Sequence, residues 1–73
     1  MPGSQTSLRE ANQRRVIQAV REFGAPTQAD IARSTGLSRA TVSNIVRELT
    51  AGGLLVVTPT SAGGRRARAV SLA

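Results

Sequence analysis

Residues 27–49 read TQADIARSTGLSRATVSNIVREL, and the second half of this stretch carries a helix with two unlike faces. Val42, Ile45, Val46 and Leu49 recur at i, i+3, i+4 and i+7, which aligns them as one apolar stripe facing a core. Ser38 precedes the stripe as an N-cap whose hydroxyl accepts from a free backbone N–H of the first turn. On the far side fall Ala40, Ser43, Asn44 and Arg47, small or hydrogen-bonding residues with one long cation. Such a face suits a DNA major groove, where an amide or guanidinium meets donor and acceptor patterns and a methyl meets thymine. Arg39 and Thr41, in the first turn, complete the set of groups near bases or flanking phosphates.

Working back from this helix, Thr27-Gln28-Ala29-Asp30 has the form of a capping box, with a carboxylate three residues after the hydroxyl. Ile31 and Ala32 supply a small apolar contact, and the helix ends near Thr35. Gly36 permits the positive φ that stops a helix within a short turn, and Leu37 fills that turn. Thr27 and Gln28 lie at a helix N-terminus, where backbone N–H groups suit a phosphate. An ordinary amphipathic surface helix would share the stripe of Val42 to Leu49. It would not share the whole order of cap, short helix, glycine turn and second cap, which is that of a helix-turn-helix.

Composition bounds the rest. The chain has 73 residues, 40% of them hydrophobic, with Phe23 as its one aromatic, so it forms one domain with a small core. Chains of this size rarely gain more than a net of roughly 3–5 kcal/mol from one core without staples, metal or association. Cysteine and histidine are absent, which excludes disulfides and leaves no usual zinc ligands; no metal or cofactor is implied. No stretch resembles a secretory signal or a membrane span, which points to the cytoplasm. Ten cations, all arginine, face four acids for a net charge of +6, a balance that favours a polyanion such as nucleic acid over a membrane surface.

Outward from the motif, residues 7–23 form a first helix, with Leu8, Val16, Ile17, Val20 and Phe23 on its apolar stripe and Ser7 and Glu10 as a capping box. Arg9, Arg14, Arg15 and Arg21 read as its solvated face, and residues 1–6 as a disordered tail. After Gly52-Gly53, residues 54–57 form a strand, Thr58 to Gly64 a turn-rich loop, and residues 67–72 a second strand on which Arg68, Val70 and Leu72 share a side. Val70 and Leu72 are expected to pack on the helices. Gly64, Arg65 and Arg66 stand near the hairpin tip, where glycine and arginine suit a minor groove. The expected fold is mainly α with a small β-hairpin: a winged helix-turn-helix of three helices plus wing over residues 7–73.

The runs Glu10-Ala11-Asn12, Thr27 to Ala32, Gly36 to Ser43, Gly53-Leu54 and Gly63-Gly64-Arg65-Arg66 together resemble the N-terminal domain of ROK-family transcriptional regulators. The resemblance implies a repressor of sugar-related genes acting on double-stranded DNA at a palindromic operator. It also implies a homodimer in a longer chain, and a sugar ligand bound only by an effector domain that would follow residue 73. On that pattern the recognition helix enters the major groove and the wing arginine the minor groove.

Catalysis finds no support, since there is neither a phosphate loop nor a carboxylate pair in an evident pocket. Glu10, Glu22, Asp30 and Glu48 read as helix-surface or cap residues. The alternative reading is a winged-helix module that docks proteins, because fold alone does not fix function. A docking module has no need of the +6 charge or of arginines at the wing tip.

Overall fold

The computed structural model describes residues 4–62 and 64–73, with the side chains of residues 4–6, 62 and 65 excepted. Five elements follow one another: α1 (Ser4–Phe23), α2 (Gln28–Thr35), α3 (Arg39–Ala51), β1 (Leu55–Ala62) and β2 (Arg65–Leu72). Three helices and a two-stranded antiparallel hairpin make the expected winged helix.

The core is aliphatic and draws on every element. Val16, Ala19 and Val20 enter from α1, Ile31 from α2, Val42, Ile45, Val46 and Leu49 from α3, Leu55 from β1 and Val70 from β2. Burying each branched side chain contributes about 1.5–3 kcal/mol. Ile17, Ala32, Leu37 and Val57 close the edges of this cluster, so Ala32 and Leu37 hold the positions the motif requires.

Local chemistry fixes the helix ends. Thr27 and Asp30 form a complete capping box: the Asp30 N–H donates to Thr27 Oγ1 at 3.2 Å and the Thr27 N–H to Asp30 Oδ2 at 3.0 Å. Gly36 ends α2 at φ 76°, and its N–H donates to the Ala32 carbonyl. Ser38 caps α3 by accepting from the Thr41 N–H at 3.1 Å. At the far end of α3 the positive φ falls on Gly53 alone, at 79°, while Gly52 stays right-handed at −80°. The Leu54 N–H then closes on the Leu49 carbonyl at 2.9 Å, satisfying an orphan carbonyl of the last turn.

Several expectations need correction. α1 starts at Ser4, so Ser4 to Thr6 belong to the helix rather than to a tail, and Ser7 lies inside it rather than at its cap; residues 1–3 lie outside the described residues. Leu8 and Phe23 are 63% and 57% exposed, although the spacing puts both on the apolar stripe. Phe23 is the last residue of α1 and borders an open groove with Asp30, Arg33 and Ser34 on the polar flank of α2. Leu8 lies two turns ahead of the core contacts, beside the edge of α3. Ala19 takes a core place instead. Leu72 also stays 46% exposed at the open end of the hairpin, leaving Val70 as the anchor.

The hairpin itself is longer than its sequence suggested. β1 runs through Thr58, Pro59, Thr60 and Ser61 to Ala62, and β2 starts at Arg65, so the stretch from Thr58 to Gly64 is mostly strand and not loop. Pro59 pairs with Arg68 there. In a two-stranded ribbon each strand has an unpaired edge, so the missing proline N–H costs no ladder bond when it faces outward. Gly63 lies outside the described residues.

Candidate nucleic-acid interface

Three elements converge beside the N-terminus of α3. An open groove of about 720 Å³ is lined by Thr27, Gln28, Ala29, Asp30 and Arg33 of the α2 region, Arg39 and Ser43 of α3, and Arg66, Ala67 and Arg68 of β2. Its shape follows from strand periodicity: Arg66, Arg68 and Val70 share one face of β2. Val70 fills the core, and the two arginines continue that face past the helical layer. The wing is held at this angle by backbone bonds. Thr27 forms an antiparallel bridge with Ala69, and the Val70 N–H donates to the Pro26 carbonyl at 2.8 Å.

Charge in the groove is strongly one-sided. Arg33, Arg39, Arg66 and Arg68 face a single acid, Asp30, among the lining residues. That acid is engaged. The Thr27 backbone N–H and then its side chain hold the Asp30 carboxyl below the usual carboxylate range; desolvation opposes them, and the Arg33 charge adds the smallest lowering. Arg33 Nη2 reaches Asp30 Oδ1 at 3.4 Å. Arg39, Arg66 and Arg68 remain exposed to solvent. Two helix N-termini, those of α2 and α3, add partial positive charge on the same side.

The expected site residues divide into four groups. Thr27, Gln28, Arg39, Ser43 and Arg66 meet in this groove. Ala40, Asn44 and Arg47 are exposed on the outward side of α3, opposite the buried Val42, Ile45, Val46 and Leu49. Ser38 donates its hydroxyl proton to Thr41 Oγ1 at 2.8 Å, and Thr41 turns to the flank of α3 away from the wing. Gly64 is exposed at the start of β2; the Arg65 side chain lies outside the described residues.

Two groove residues were not singled out from the sequence. Strand alternation puts Arg68 on the same face as Val70, and its parity with Arg66 is the signal that it shares the wing's outer reach. Arg33 follows Asp30 by three positions on α2, which places it in the last turn of that short helix.

Residues 9–67 match the model of the MarR family. This replaces the ROK resemblance, which finds no support. Among solved structures the chain is similar to BpsR of Bordetella bronchiseptica, reported for the mechanism by which 6-hydroxynicotinic acid regulates its DNA binding, at 33% identity and a TM-score of 0.74. The match covers 86% of this chain and 47% of that one, so the chain spans about half the length of the structure it matches. No curated protein matches the sequence. Among the described residues no helix is long and apolar enough to cross a membrane.

Proposed function

The chain belongs to the MarR family, and from that premise we infer that it is the DNA-binding domain of a transcription regulator, reading double-stranded DNA in two grooves. Members of the family are transcription regulators and not enzymes. One observation carries the reading: α2, α3 and β2 bring Arg33, Arg39, Arg66 and Arg68 around one groove beside the polar crest of α3. On this reading α3 lies in the major groove. Ala40, Ser43, Asn44 and Arg47 meet base edges, with Ser38, Arg39 and Thr41 at its leading turn. Thr27 and Gln28 approach a phosphate at the start of α2. Gly64, Arg65 and Arg66 bring the wing to the neighbouring minor groove.

A homodimer on a palindromic operator fits the half-site logic of helix-turn-helix proteins and forms part of the proposal. Repression and a sugar effector, which only the ROK resemblance implied, do not. Selection of bound duplexes from a random pool, followed by titration of the winner at two salt concentrations, tests the reading. An enriched sequence whose affinity falls steeply with salt is expected. Affinity indifferent to salt overturns it, and leaves protein docking as the role of the fold.

A further inference from the structure

Residues of α3 follow one another at about 100° intervals, which sorts its exposed surface into three rows. Arg39 and Ser43 line the groove shared with the wing. Ala40, Asn44 and Arg47 form the outward crest. Thr41 and Glu48 turn to the opposite flank, where they and Asn44 border a second groove, of about 260 Å³, against Leu8, Arg9 and Asn12 of α1. Within it Arg9 forms an ion pair with Glu48. The Arg9 side chain nevertheless stays 62% exposed, against 32% for Glu48. A guanidinium carries five N–H donors in a planar fork, and one carboxylate engages two of them at most in a bidentate pair. Donors are therefore left over on the solvent side.

A helix seated in a major groove about 12 Å wide is walled by the phosphates of both strands. The wing-side groove supplies cations for one wall. We propose that the first turns of α1 form a separate phosphate-contact site for the other wall, in which Arg9, oriented by Glu48, binds a phosphodiester while Asn12 and Thr41 add neutral donors. This inference rests on the major-groove reading given above. Glu48 is a positioning residue here: it fixes the guanidinium at the rim of the crest, and the pairing cancels an acid that would otherwise face DNA. Losing Arg9 alone leaves that acid uncompensated beside phosphate.

The test uses the native chain, Arg9→Ala, Glu48→Gln and the double variant, titrated over a series of salt concentrations on the selected duplex and on an unrelated one. Arg9→Ala is expected to weaken both duplexes alike, by about tenfold, and to lower the salt slope by about one. Adding Glu48→Gln restores part of the affinity and none of the slope. A scan of single methylphosphonates with the native chain gives a readout independent of any variant's folding. Loss of affinity is expected at phosphates on both walls of the contacted major groove. Loss confined to the wing-side wall, or an Arg9→Ala chain with native affinity and slope, overturns this site alone. A native chain without salt-dependent affinity overturns the major-groove reading with it.

Discussion

Thr27 stands opposite Ala69 in an isolated antiparallel bridge, so the residue whose side chain caps α2 also lies where the wing meets the helices. Next to it, the Pro26 carbonyl accepts from the Val70 N–H, and the Val70 side chain is fully buried. Cap, bridge and core anchor thus meet at one place.

The cap at this junction makes stability pH-dependent in a definite direction. Asp30 is held below its ordinary pKa by the Thr27 N–H first, then by the Thr27 side chain and Arg33. A depressed folded value means that Asp30 contributes stability above its unfolded pKa of about 3.9 and loses it as the pH falls through the lower folded value. Asp30→Asn should therefore be less stable than the native chain at neutral pH and approach it under acid. Urea midpoints taken across the acid range check this; a constant gap between the two chains would contradict it.

Thr27→Ala removes the hydroxyl acceptor and keeps the backbone bridge. Its cost should be about 0.5–2 kcal/mol, the range for a lost N-cap, with Thr27→Ser close to native. Thermal unfolding of the three chains measures it.

The aliphatic core has little reserve. Ile31 is completely buried, and Ile31→Ala should cost roughly 2–5 kcal/mol, comparable with the net roughly 3–5 kcal/mol that chains of this size rarely exceed. Circular dichroism at 25 °C should find that chain largely unfolded, whereas Ile31→Val, costing roughly 0.5–1.5 kcal/mol, stays folded.

Base reading and phosphate binding should separate by mutation. Asn44→Ala or Arg47→Ala, on the exposed crest of α3, is expected to relax base preference at one position by about 1–3 kcal/mol. Competition between the selected duplex and single-base variants measures the effect.

Arg66→Ala, by contrast, should weaken all duplexes alike and flatten the salt slope by about one. Titration at several salt concentrations checks this, and a change confined to one duplex would assign Arg66 a base instead.

What the sequence made legible was whatever local rules decide. The stripe of Val42 to Leu49, the caps at Thr27 and Ser38 and the stop at Gly36 depend on neighbours within one or two turns, and the structure places each as read. Burial of Leu8, Phe23 and Leu72 depends instead on what stands opposite, and among the described residues these three side chains stay exposed. The Thr58 to Ser61 run has turn-like composition but gains a partner strand, and pairing across the hairpin outweighs its weak strand preference. The groove of four arginines was half visible, because Arg39 and Arg66 stood on recognisable elements while Arg33 and Arg68 join them only through the way β2 crosses α2. The family escaped for a related reason. Caps, glycine turns and an arginine-tipped hairpin are demanded by the shape of the fold, so short motifs built from them recur wherever that shape is used.

The fastening of Pro26 and Thr27 to Ala69 and Val70 has a mechanical meaning for a protein that grips a duplex. It makes α3 and the wing tip the two jaws of a caliper, joined at a pivot that the Val70 N–H to Pro26 carbonyl bond closes, and so sets a gauge between them. A duplex whose local twist or groove width departs from that gauge must deform to be held, and the cost of deformation depends on its sequence. Discrimination then extends to base pairs lying between the jaws that no side chain touches.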